Sequence, residues 1–239
     1  MDTTSNQFWF PGKYVGGISL ILAPVVFLAG ILLRIQFHFF FPDQLSAYKS
    51  QPGLIFASYS LFLAGNILLW PAIVSLAHLI GQKKPNWAIW GASLVLFGLF
   101  ARAFHAGVDH MAFQIAGTQN VKLATQIVAD SYGGFHVAHL LSGTIMFGWI
   151  VLAIGAYLSG VLNAYRAIAL GLMSILMMGV LKGTSYTSVA AALGLCIALV
   201  PLGVQMLNQG SSLGLKSKVL WAGVIAGLVT LLYLFGEAG

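Results

Sequence analysis

The chain has 239 residues, of which 59% are hydrophobic and 7% charged, with a formal net charge of +6. Soluble globular domains carry about 25% charged residues, so this composition excludes a water-soluble fold and points to an all-α, polytopic transmembrane helical bundle. The positive balance reads as a topology signal and as contact with anionic lipid headgroups. With no basic stripe of interleaved aromatics, it does not read as a nucleic-acid interface.

A hydrocarbon core of about 30 Å takes about 20 residues of helix. Seven spans are expected, at 14–40, 53–81, 87–116, 136–162, 165–181, 187–208 and 218–236. The fifth is short and the break at 162–167 is thin, so six and eight are the alternatives. Continuous apolar runs, rather than period-two alternation, argue against a membrane β-barrel. The first apolar run is longer than the h-region of a cleaved signal, so the first span is expected to stay. Residues 1–239 are then one integral-membrane domain.

The first span carries Arg34 and His38 toward its end, and the following "PDQLSAYKSQPG", Pro42 to Gly53, reads as a loop covering that side. In the second span, Asn66 is expected to act as interhelical glue. Pro71 is expected to kink it.

The third span holds the most unusual stretch, "ARAFHAGVDHMAFQ", Ala101 to Gln114. Residues three, four and seven apart share a helix face, so Arg102, His105 and Asp109 form one stripe continued by Ala112 and Phe113. His110 points about 100° away from Asp109. Ionisable groups at membrane depth cost about 2.5–3.5 kcal/mol each for Arg or Asp, and therefore face a bundle interior or a water-filled cavity.

Between the third and fourth spans, "TQNVKLATQIVADSYGG", Thr118 to Gly134, sets apolar residues at helical spacing before a Gly-Gly stop. It reads as a short interfacial helix, a lid or lateral entrance over the histidines. The fourth span opens with "GFHVAHLLSG", which puts His136 and His139 on one face. A His-x-x-His pair can offer two imidazoles to a metal, and Asp109 and His110 from the neighbouring span can supply further ligands.

Cys196, in the sixth span, is the single cysteine and excludes an intrachain disulfide. Pro201 is a second expected kink. Gly223 and Gly227 in the seventh span form a GxxxG, expected to serve packing of the bundle.

Connections with Lys13, Lys83, Lys84, Arg166, Lys216 and Lys218 fall on one side, against Lys49, Lys122 and Lys182, with Arg34 near them, on the other. This bias predicts a cytoplasmic N-terminus and histidines facing outward across a bacterial-type cytoplasmic membrane.

Three functions follow from these residues. The first is a membrane enzyme acting by hydrolysis or oxidation on a lipid-soluble substrate. Asp109, His110, His136 and His139 would hold zinc, iron or copper, and His105 and Arg102 would act beside the metal. The second is a haem- or quinone-binding subunit of a larger membrane complex, with histidines of two helices facing across a slot. The third is a transporter or a lipid- or small-molecule-binding protein using Arg102 and the histidines.

Overall fold

The structure is a computed structural model describing residues 8–132, 137–176, 179–209 and 214–238. Its helices are α1 (Gly12–Leu33), α2 (Phe41–Ser50), α3 (Pro52–Gly81), α4 (Pro85–Thr118) and α5 (Val121–Tyr132), followed by α6 (Val137–Leu158), α7 (Ala164–Gly171), α8 (Tyr186–Asn208) and α9 (Leu215–Ala238). Helices satisfy their own backbone hydrogen bonds, which is why an apolar chain in lipid adopts them. Among the described residues, six helices are long and apolar enough to cross a membrane: α1, α3, α4, α6, α8 and, within α9, Val219–Gly236. The chain is a multi-pass membrane protein. It falls into two compact units, residues 1–207 and residues 208–239.

Two expectations need correction in the first unit. The first span ends at Leu33, not at residue 40, and Phe41–Ser50 is a helix, α2, where a loop was expected. Pro42 stands in its first turn, where a missing N–H costs nothing, and Asp43 favours the positive end of the helix dipole. The fifth span is not a continuous helix either. It is the eight-residue α7 and a 3₁₀ turn at Leu172–Ile175, and the described residues 179–185 before α8 are irregular.

The described parts of this stretch are tied to the bundle at two separate places. Near its start, Leu162 N–H donates to Ala156 O at the end of α6. Gly155 in the same turn lies against Trp87 at the start of α4. Near its end, Leu181 N–H donates to the Asp109 carboxylate and Gly183 N–H to Phe39 O. Trp87 and Asp109 are about 33 Å apart along α4 at 1.5 Å per residue. Irregular backbone in an apolar surrounding persists only where protein or a cavity satisfies it, and these two acceptors satisfy the N–H groups of Leu181 and Gly183.

Glycines set the helix spacing. A Cβ on Gly91 would stand 2.8 Å from Leu152 Cα, one on Gly98 2.9 Å from Ile145 Cα, and one on Gly148 2.7 Å from Val95 N. The three contacts form an antiparallel ladder that lets α4 and α6 approach backbone to backbone. On the other side, a Cβ on Gly65 of α3 would lie 2.7 Å from Phe27 Cα of α1. Gly203 of α8 likewise sits against the carbonyl of Gly17 on α1. Around these contacts a core including Phe27, Leu69, Leu99, Trp149 and Leu195 is closed to solvent. Asn66 acts as expected, its Nδ2 donating to Leu99 O at 3.0 Å between α3 and α4.

In the second unit, α9 carries Gly223 and Gly227 with no heavy atom, among the described residues, within 4 Å of where a Cβ would stand.

Candidate functional site

The helical period places α4 as its sequence implied. Arg102, His105 and Asp109 are 6%, 5% and 7% exposed, and Ala112 and Phe113 continue the buried stripe. These three polar residues line a cavity of about 30 Å³ with Arg34, Tyr59, Lys182, Thr184 and Ser188. A water needs roughly 10–15 Å³ of such space, so the cavity has room for about two water-sized groups.

Five elements meet at this cavity: the end of α1, the first half of α3, the polar stripe of α4, the irregular segment before α8, and α8 itself. The end of α1 is anchored from two sides. Ser58 Oγ donates to Gly30 O at 2.6 Å and Thr184 Oγ1 to Ile31 O at 3.2 Å. Both bonds go to carbonyls in the last turn of a helix, where the regular intrahelical pattern runs out. From α2, the buried Gln44 donates to His38 O at 2.6 Å and accepts from the Tyr59 hydroxyl at 3.2 Å. Tyr59 thereby holds a fixed ring for Arg34.

Arg34 follows α1 directly and is 3% exposed. Its guanidinium carbon lies 4.2 Å from the Tyr59 ring centroid and 4.8 Å from that of Phe62, so two aromatic faces support the cation. Two of its nitrogens, Nε and Nη1, are buried with no hydrogen-bond partner among the described residues. Guanidinium groups carry five N–H donors and remain charged, and a buried charge lacking partners is strongly unfavourable. Arg102 brings a second guanidinium to the cavity, against the single carboxylate of Asp109. The Asp109 carboxylate is itself committed to the Leu181 N–H.

His105 turns toward α5. Its Nε2 shares a 2.8 Å hydrogen bond with the Tyr132 hydroxyl, and the two rings meet edge to face with centroids 5.8 Å apart. Burial, and secondarily the charge of Asp109, pushes the Tyr132 phenol above its ordinary value. The hydroxyl therefore keeps its proton at neutral pH and can donate it. The expected interfacial helix is present as α5, and its last residue closes over the histidine of the polar stripe.

The sequence-derived site residues separate into two groups. Arg102, His105 and Asp109 come together in the cavity. His110 is exposed, with Phe56 as its ring neighbour at 6.2 Å, and His139 is exposed on α6. His136 lies outside the described residues. His38 is also exposed, its Nδ1 2.9 Å from Asp43.

Among the described residues, no three His, Cys, Asp or Glu side chains stand close enough to hold a metal ion. The donor set fits a metal poorly, since Asp109 sits beside cations and His110 leaves the other face of α4. Of the histidines that a haem or quinone slot would use, His105 is hydrogen-bonded to Tyr132, and His110 and His139 are exposed.

Arg34, Tyr59, Tyr132, Thr184 and Ser188 are the site residues that sequence reasoning missed. For Arg34 the signal existed: it falls inside the apolar stretch 14–40, where the rule that singled out Arg102 applies equally. No protein-family model, curated protein or solved structure matches this chain.

Proposed function

We propose that this membrane protein binds a small anion, or the anionic group of a larger solute, in the cavity between α1, α3, α4 and α8, as a transporter or a ligand-binding protein. The observation that carries this reading is Arg34, a guanidinium buried on two aromatic rings with Nε and Nη1 left without protein partners. Arg102 adds positive charge to the same cavity and Asp109 does not cancel both. An anion there gains charge-assisted hydrogen bonds, which are roughly twice as strong as neutral ones. The volume favours a carboxylate-sized group over a large polyanion. The metal-enzyme and haem or quinone readings each demand converging histidines, and nothing observed at His110 or His139 favours them.

The test is thermal unfolding of the purified protein in lipid nanodiscs, with acetate exchanged at fixed ionic strength for Hepes, a bulky sulfonate without a carboxylate. A ligand that binds only the folded state raises the melting temperature, and the rise grows with the logarithm of its concentration once it exceeds Kd. Acetate is expected to stabilise the wild type and to leave Arg34→Gln unchanged. Equal melting curves in the two salts for the wild type would overturn the reading.

A further inference from the structure

On the neighbouring face of α4, between it and α5, lies a second groove of about 180 Å³. Phe104, Val108, Ile115, Ile127 and Val128 make its walls apolar, and Phe104 and Ile127 are 43% and 36% exposed, so it opens to the side of the bundle. Tyr132 also lines this groove. The same Tyr132 hydroxyl is bonded to His105, which lines the cationic cavity. A tyrosine–histidine pair thus stands between an apolar groove on the side of the bundle and the cavity lined by Arg34 and Arg102.

Such a groove and cavity complement one kind of molecule, with an alkyl chain at one end and a negative head at the other. We infer that the anion held at Arg34 is the carboxylate of an alkyl-chain amphiphile, which enters laterally between α4 and α5 and leaves its chain in that groove. The inference rests on the anion-binding reading above and names the class of ligand. Space for about two water-sized groups matches the two oxygens of a carboxylate. Tyr132 acts as a positioning residue at the junction, where its ring moves aside for the head to reach Arg34. Its hydroxyl then bonds to His105 or to the bound carboxylate.

The test uses the full chain in nanodiscs with tritiated palmitate, together with a palmitate analogue carrying a diazirine in mid-chain. Saturable binding at one site per chain is expected, with adducts on α4 and α5 in the groove. Arg34→Gln is expected to weaken binding by about tenfold or more, as loss of a charged hydrogen-bond donor implies. Arg34→Lys keeps the charge and is expected to retain part of the affinity. Both are compared only after their elution profile and helical content match the wild type. Ser131→Trp, at an exposed position lining the groove, is expected to weaken palmitate by about tenfold while leaving the acetate effect on melting intact.

Unchanged palmitate affinity in Ser131→Trp, or adducts outside α4 and α5, would overturn the lateral-entry inference but not the anion site. Dodecyl phosphate displacing palmitate at lower concentration than laurate does would overturn the carboxylate assignment. Loss of both palmitate binding and acetate stabilisation in the wild type would remove the anion reading itself.

Discussion

The Asp109 carboxylate accepts the backbone N–H of Leu181, a residue 72 positions further along the chain, fully buried and at φ 50°. A leucine in the left-handed region costs about 1–2 kcal/mol, and it persists where surrounding structure over-determines it. Here the anchor is the carboxylate that ends α4's polar stripe. One residue therefore both offsets part of the arginines' charge and anchors the backbone of the irregular segment at Leu181.

Asp109→Ala is expected to destabilise the protein, because it leaves a buried N–H without its acceptor, at about 1–3 kcal/mol. Its loss also removes the counter-charge of Arg34 and Arg102. Asp109→Asn keeps a carbonyl oxygen at the same place and is expected to lose less. Melting temperatures in one detergent should rank wild type above Asn and Asn above Ala. Asn at or below Ala would show that the Leu181 bond is not what Asp109 supplies.

The glycine ladder between α4 and α6 predicts a contrast within one helix. Gly98→Ala forces a methyl into the space 2.9 Å from Ile145 Cα, and overpacking of that kind costs about 1–3 kcal/mol. Gly107→Ala meets nothing within 4 Å among the described residues and is expected to be neutral or to stabilise by about 0.4–1 kcal/mol through the unfolded chain. Chemical or thermal unfolding of the two variants side by side checks this, and equal losses would contradict close α4–α6 packing.

Asn66 donates to Leu99 O, but its Oδ1 is buried without a partner among the described residues. Polar bonds between membrane helices average about 0.6 kcal/mol, and replacing the amide also removes an unsatisfied oxygen. Asn66→Leu is therefore expected to change stability by less than about 1 kcal/mol. A larger loss in reversible unfolding would mean that Oδ1 has a bound water or ligand group to satisfy.

His110 and His139 are exposed and outside the cavity. The variants His110→Ala and His139→Ala, alone and combined, are expected to stay within about 0.5 kcal/mol of the wild type in stability and to keep the acetate response. Elemental analysis of the same preparations is the decisive companion measurement. Near-stoichiometric zinc, iron or copper that disappears in the double variant would restore the metal-enzyme reading in place of anion binding.

The presence of the long apolar helices, the membrane class and the shared face of Arg102, His105 and Asp109 were legible in the sequence, whereas the end of the first span and the continuity of the fifth were not. Each depends on local physics: a helix in lipid must be apolar for about 20 residues, and a period of 3.6 residues decides which side chains share a face. The tertiary structure alone decided that the fifth apolar stretch is not one helix, with the N–H groups of Leu181 and Gly183 bonded to Asp109 and Phe39 from distant parts of the chain. It likewise decided that Arg34, not His110 or His139, joins the polar stripe of α4. Hydropathy does not carry that information, since in lipid the face toward a neighbouring helix is as apolar as the face toward the tails. Which polar groups meet is set by close approach at glycines such as Gly30, Gly65 and Gly98, and that approach exists only once the helices are packed.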